Sequence, residues 1–238
     1  MVELKDRGFI LRVTKAQEAD VVVKILTSNG EKIEAFAKAG LKSRKRFAGA
    51  LQPFLNIEFR ATKRPQSQLF YLDEASIKHE FKITEIEKLV SASYAAELIE
   101  HSAQEGLEHK EIYNLFGALL RALESGLPAV GVLRQFEVKL LSLLGWLPSY
   151  QDCGSCGGKS RLSLNAHLGQ VLCENCGHYP ILINDELKGL LNSCLQTSLM
   201  QSLMSDTDAK KVARFTEALL ASHWGTRPIK SAAFLRLT

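Results

Sequence analysis

Apolar and polar positions change rhythm once along this chain, near residue 84. Before that point they fall into short runs or alternate with a period of two; after it they recur at helical spacing. Phe9–Val13 is a short apolar run. Asp20–Thr27 and Glu31–Lys38 flank Ser28-Asn29-Gly30, whose Asn-Gly pair favours positive φ and predicts a hairpin. Leu55, Ile57, Phe59 and Ala61 alternate with Asn56, Glu58 and Arg60, as in a half-buried strand. Pro65 and Gln66 mark a turn, and Leu69–Leu72 with Ile77 begin a last strand region. About five short strands in so small a segment predict a compact barrel, OB-fold or SH3-like.

Thr84-Glu85-Ile86-Glu87 matches a capping box, and Ile86, Leu89, Val90, Tyr94 and Leu98 follow at helical spacing. Further helices are expected over Lys110–Ser125, stopped by Gly126, and from Val130 to Leu144, stopped by Gly145. Asn184 or Asp185 caps a helix through Leu191, and Asp206 or Thr207 caps another reaching Ser222. The expected class is α+β multidomain. A barrel occupies residues 1–80, and a helical domain over 81–238 carries an insertion at about 149–180.

That insertion holds Cys153-Gly-Ser-Cys156, sixteen residues, and Cys173-Glu-Asn-Cys176. Each C-x2-C pair brings two thiolates to one tetrahedral ion. The spacer suits a hairpin of Arg161–Leu164 and Gln170–Leu172, and Gly154, Gly157 and Gly177 permit left-handed turns. Disulfides need an oxidising compartment, and a redox C-x-x-C needs only one pair. One structural zinc ion is therefore expected, with a closed shell that leaves no position for water. His167 and His178 lie nearby but are not needed. Cys194 reads as a small core residue.

Composition is ordinary for a globular protein, with 46% hydrophobic and 24% charged residues. Met1 to Gly8 is polar and no apolar run approaches a membrane span, so an intracellular address is expected. Charge is unevenly divided. Residues 1–80 carry 15 Lys and Arg against 10 Asp and Glu, and the rest 15 against 16. The densest positive stretch, Lys38 to Phe47, contains Lys42, Arg44, Lys45 and Arg46, and no acid lies between Glu34 and Glu58. Small barrels track phosphates with such residues while aromatic rings stack on bases, and Phe47 and Tyr71 are the candidate exposed rings. Gly40 is a candidate for positive φ where the basic loop leaves its strand. No phosphate-binding loop, dinucleotide fingerprint, nucleophile elbow or zinc-protease motif is present. Glu85/Glu87, Asp185/Glu186 and Asp206/Asp208 read as helix-start acids. Binding, not catalysis, is indicated. An unrecognised nucleic-acid-modifying enzyme and an RNA- or ribosome-binding zinc-ribbon module are the rival readings.

Several segments in order resemble the bacterial RecO family of recombination mediators. They are Asp6-Arg7-Gly8, Glu18-Ala19-Asp20, and above all the run from Ala39-Gly40-Leu41-Lys42 through Ala50-Leu51-Gln52-Pro53-Phe54. Leu133-Arg134-Gln135-Phe136-Glu137, followed by Leu140-Leu141 and Leu144-Gly145-Trp146, resembles the helix before that family's zinc segment. The resemblance implies an N-terminal OB-fold, a helical domain and a zinc ribbon. It implies binding of single- and double-stranded DNA and annealing without ATP. It further implies action with RecR to load RecA onto strands coated by single-strand-binding protein (SSB), in DNA repair and recombination by the RecFOR pathway. Lys42, Arg44, Lys45 and Arg46 become the leading DNA contacts, with Arg7 and Lys38 beside them. Arg134 stands where the family receives the acidic SSB tail. A cytoplasmic, nucleoid-associated location is implied. Lys230-Ser231-Ala232-Ala233-Phe234-Leu235 departs from the family, since Ala232 stands where Arg is frequent.

Overall fold

Gly8, Phe9, Ile10 and Leu11 are all buried, although a strand turns only every second side chain to one face. Ile10 enters the barrel core. Phe9 meets Tyr113 and Phe116 instead, with ring centroids 4.7 and 5.4 Å away. The strand is covered on both faces here, which is why its sequence is continuously apolar.

The computed structural model describes residues 2–102, 109–224 and 231–232. They form two compact units. One comprises the described residues through Leu120 with Ser231 and Ala232; the other begins at Arg121. Lys230, Ala233, Phe234 and Leu235 lie outside the described residues.

The first unit contains β1 (Val2–Lys15), β2 (Val21–Thr27), β3 (Lys32–Ala37), α1 (Arg44–Phe47), β4 (Asn56–Lys63) and β5 (Phe70–His79). It continues through α2 (Ile86–Ser102) into α3 (Lys110–Glu124). The strands close in the order β1-β2-β3-β5-β4. Every pairing is antiparallel except the β3–β5 seam, which is parallel and made by Ala35–Phe70 and Phe36–Tyr71 alone. A five-stranded barrel with one short seam is the OB-fold architecture, the first of the two alternatives. Small residues at Ala35, Ala37, Ala61 and Ala75 alternate in the core with Ile25, Ile57 and Phe59, filling the narrow interior.

β1 extends well beyond Phe9–Val13. Val2–Gly8 pairs with β4 throughout, from Val2–Lys63 to Gly8–Ile57. Glu3, Lys5 and Arg7 are exposed, so this stretch has no apolar run to announce it. α2 is tied to the barrel by Glu100, whose carboxylate is only 5% exposed and pairs with Arg12 at 2.9 Å and Lys24 at 3.6 Å. Lys32 Nζ donates to the Glu100 carbonyl at 2.6 Å. Ser231 donates its backbone N–H and hydroxyl to Glu97 of α2 at 2.9 and 2.6 Å.

The second unit is built around α4 (Ala129–Leu143), buried on nearly every side. Next come the hairpin of β6 (Ser163–Asn165) and β7 (Gln170–Leu172), then α5 (Asp185–Gln196) and α6 (Asp206–Trp224). A helix buried on nearly every side belongs at the centre of its layer. Its polar side chains serve neighbouring backbone: Gln135 Nε2 donates to the Thr197 carbonyl at 2.9 Å and Lys139 Nζ to the Leu195 carbonyl at 2.8 Å. These donors meet carbonyls that the end of α5 leaves unpaired. Asn184 caps α5, accepting from the Leu187 N–H at 2.9 Å. The cap of α6 is Ser205 rather than Asp206 or Thr207. Its Oγ accepts from the Asp208 N–H at 3.2 Å and donates to the Asp208 carboxylate at 2.8 Å, so the capping hydroxyl is itself held by the residue it caps. Cys194 is 2% exposed, and burial pushes its thiol up to about 12. Among the described residues no helix is long and apolar enough to cross a membrane.

Candidate nucleic-acid interface and metal centre

The basic loop leaves β3 through Ala39, whose φ of 52° is left-handed. Asp20 Oδ1 accepts the Ala39 N–H at 2.6 Å, and the Leu41 N–H donates to the Ala19 carbonyl at 3.0 Å. The positive φ expected at Gly40 therefore falls one residue earlier. Gly40 is required for space instead: a Cβ there would lie 2.7 Å from Val21 Cγ2 and 3.0 Å from Leu51 Cδ1. The single turn α1 then folds Phe47 inward, 1% exposed within the barrel core. Phe47 is thus a core anchor, not a stacking ring, because the loop needs an apolar foot to hold its charges outward. Tyr71 remains 36% exposed.

Lys38, Lys42, Arg44 and Lys45 are exposed, and Arg46 is half-buried. Arg46 is also committed. It donates to the Lys38 carbonyl, Nε donates to Ser43 Oγ at 3.3 Å, and its guanidinium lies 4.8 Å from the Phe47 ring centroid. Beside α1 runs a groove of about 860 Å³, lined by Lys45, Arg46, Lys5, Arg7 and Arg60 among others. Three predicted residues meet there (Arg7, Lys45, Arg46), whereas Lys38, Lys42 and Arg44 do not line it. Lys5 and Arg60 are not singled out by the sequence reading. They are cross-strand partners, and period-two reading of Glu3, Lys5 and Arg7 is the signal that locates them on one face.

Asp6, Glu58 and Glu74 also line the groove and temper its charge. Arg7 Nε meets Glu58 at 3.4 Å with both side chains more than half exposed, a pairing that solvent renders weak. Arg60 Nε donates to Glu74 at 3.1 Å, and this hydrogen bond with its attendant charge raises the guanidinium's already high pKa. The groove keeps a basic majority and open solvent access, which suits exchangeable phosphate contacts.

In the second unit the four cysteines converge, with all their sulfurs within 4.8 Å of one another. Cys156 and Cys173 are 3.5 Å apart; a tetrahedral Zn–S shell at ~2.3 Å sets sulfurs about 3.8 Å apart. Each knuckle is wound by backbone bonds: Gly157 N–H to Cys153 O at 2.9 Å, and Cys176 and Gly177 N–H to Cys173 O at 2.9 and 3.0 Å. Of the three glycines expected to be left-handed only Gly157 is, at φ 72°. Gly177 serves packing, since a Cβ there would lie 2.8 Å from the Tyr179 ring. Backbone N–H donors led by that of Cys173 lower the Cys153 thiol to about 6. Cys176 is pushed up to about 12 by its neighbours, Cys156 first. Sulfurs this close ionise together only around a cation. Among the described residues neither His167 nor His178 joins the cluster.

Arg134 lies inside the second unit, its side chain 9% exposed. One guanidinium nitrogen meets Glu137 at 2.7 Å and another meets Glu217 at 3.0 Å. Glu137 is fully buried and also accepts from Thr216 Oγ1. Burial pushes the Glu137 pKa up, opposed by Arg134 and Thr216. Glu217 is half-exposed, so only the outer end of this chain of charges reaches solvent.

Known proteins match this chain over nearly all its length. The family profile for the recombination protein O N terminal matches residues 1–81, and that for the recombination protein O C terminal matches 83–233. A DNA repair protein RecO of Anaeromyxobacter sp. (strain K) is 34% identical over 181 residues, covering 74% of this chain and 71% of its own. The DNA repair protein RecO of Geobacter metallireducens is 27% identical over 241 residues, covering 99% of this chain and 98% of its own. That of Syntrophus aciditrophicus is 25% identical, covering 97% and 94%.

Proposed function

The chain belongs to the RecO family of DNA repair proteins, and from that premise we propose that it is a DNA-annealing recombination mediator. The observation that carries this reading is a basic loop and a basic groove on one OB-fold barrel. Residues 1–80 act as the DNA-binding domain, and residues 81–238 as the helical domain with its ribbon at about 149–180. Lys42, Arg44 and Lys45 contact phosphates, with Arg7, Lys5 and Arg60 along the groove. Arg46 and Lys38 contribute more through the bond that shapes the loop.

The mechanism is electrostatic. Lys and Arg replace the counterions of each strand, so affinity falls steeply with salt. Two strands on one neutralised surface repel each other less and pair without nucleotide hydrolysis. No side-chain set for bond cleavage is required, so the protein acts as a binder, not an enzyme. Cys153, Cys156, Cys173 and Cys176 hold one zinc ion, which supplies a structural crosslink with no open coordination position. Partners are RecR, RecA through strand loading, and SSB, in the cytoplasm at the nucleoid. An acidic SSB tail that engages Arg134 exchanges places with Glu217, the exposed end of the pair.

The test is annealing of SSB-coated complementary strands by the wild type and by a Lys42→Glu, Arg44→Glu, Lys45→Glu variant. Annealing falls by about a hundredfold or more while bound zinc stays at one equivalent. Undiminished annealing by the variant rejects the proposal.

A further inference from the structure

We propose that Glu58 and Glu74 are specificity-determining residues of the basic groove: fixed beside Arg7 and Arg60, they weaken its hold on duplex and so release the annealed product. This rests on the DNA-binding reading above and concerns the acids of the groove, to which that reading gives no part. Strand register sets the arrangement. Across β1, β4 and β5, Lys5 pairs with Arg60 and Arg60 with Glu74. Two residues along each strand, Arg7 pairs with Glu58 and Glu58 with Ser76. A spacing of two keeps both rows on one face, and all six residues line the groove.

The two ion pairs stand in solvent. Arg60 Nε donates to Glu74 at 3.1 Å and Arg7 Nε to Glu58 at 3.4 Å, and both glutamates are more than half exposed. Exposed pairs of this kind contribute little to stability, so support of the sheet does not account for them. The third acid of the groove is committed elsewhere. Asp6 Oδ1 accepts from the Ser28 hydroxyl at 2.5 Å and from the Arg7 N–H at 2.7 Å. Glu3 and Asp73 each lie 4.0 Å from Arg60, but neither lines the groove.

DNA binds a basic surface by shedding condensed counterions, nearly one for each phosphate neutralised. Arg7 and Arg60 are already neutralised by carboxylates that cannot diffuse away. A phosphate must displace each carboxylate and then lies beside it, so each pair lowers the number of counterions shed. The repulsion grows with the charge density of the nucleic acid. Duplex carries one charge per ~1.7 Å of axis, more than a single strand does. Glu58 and Glu74 therefore act harder on the product of annealing than on its substrates.

The experiment compares wild type with Glu58→Gln, Glu74→Gln and the double variant, all as the full chain. A control, Asp185→Asn with Asp206→Asn, makes the same change in net charge at exposed helix starts of the second unit. Affinity for single strand and duplex is measured between about 50 and 200 mM salt, and annealing is followed over several turnovers with limiting protein. At low salt the double variant binds duplex roughly tenfold more tightly and single strand about threefold, and its duplex salt slope steepens by about one to two units. Its annealing slows after the first turnover, each single variant shows a smaller effect of the same sign, and the control behaves as wild type. Thermal melting is unchanged throughout; a lowered melting temperature assigns the pairs to the fold and overturns the proposal. Equal tightening on both strand types, tightening without a steeper slope, tightening matched by the control, or no tightening overturns it while leaving DNA binding intact. Wild type that binds neither strand overturns the DNA-binding reading and this proposal with it.

Discussion

In the barrel, Lys42, Arg44 and Lys45 stand in solvent on a loop footed by Phe47 and Leu51. In the second unit, Arg134 and Glu137 lie buried against each other and four cysteine sulfurs crowd one point. The barrel takes its shape from apolar burial and keeps its charges on the surface. The second unit turns its charges inward and depends on them for shape. Surface charge is easily changed and tunes binding. Buried charge is hard to change, because a lone partner left inside is desolvated without compensation.

Disrupting the four-cysteine cluster is the strongest way to break this contrast. Structural zinc contributes apparent folding energy on the order of 10 kcal/mol. Cys173→Ser, or a chelator, is expected to release the ion and expose residues 149–180 to protease, while barrel binding to DNA changes less than about twofold. Metal content, limited proteolysis and a DNA-binding titration check all three together.

A smaller effect is expected inside α4. Glu137→Ala leaves Arg134 without its buried partner and should cost about 3–5 kcal/mol in urea denaturation. Replacing both residues with Met and Leu should recover most of that loss. Recovery separates the loss of a buried ion-pair partner from simple cavity formation.

Arg46 sits between the two regimes. Arg46→Ala should lower stability by about 1 kcal/mol through its lost hydrogen bonds and ring contact. Lys42→Ala should leave melting unchanged and flatten the salt dependence of DNA binding by about one unit of slope.

The smallest effect is on pH. His223 stacks on Trp146 with centroids 4.3 Å apart, and burial lowers its pKa. The unfolded chain then binds the proton more tightly, so this contribution is present above the ordinary histidine value and lost as pH falls below about 6.5. Melting of wild type and His223→Gln should therefore converge between about pH 7.5 and 5.5. Parallel curves reject the assignment.

Much of this architecture is legible in the sequence. Alternation at Leu55–Ala61 locates β4, and Asn184 locates the start of α5, because both signals are local. The cysteine spacing locates the cluster, because a tetrahedral shell restricts which pairs can meet. What stays hidden depends on partners distant along the chain. The first half of β1 is written in Glu3, Lys5 and Arg7, and only pairing with β4 makes it a strand. Phe47 reads as a free ring until α1 turns it inward. Ser205 does not stand out as the cap of α6 because Asp206 and Thr207 beside it are equally good capping residues. The groove residues Lys5 and Arg60 lie on different strands, far apart along the chain, and meet only through register.

The short seam between β3 and β5 bears on how much change this barrel tolerates. The β1–β4 ladder has eight rungs, so a substitution that spoils one leaves seven. The seam has two, and the rings of one rung, Phe36 and Tyr71, touch across it. Redundancy is lowest there. Drift in sequence is tolerable along most of the cylinder, but along that line a single exchange at Phe36 or Tyr71 removes the ring contact that braces the seam.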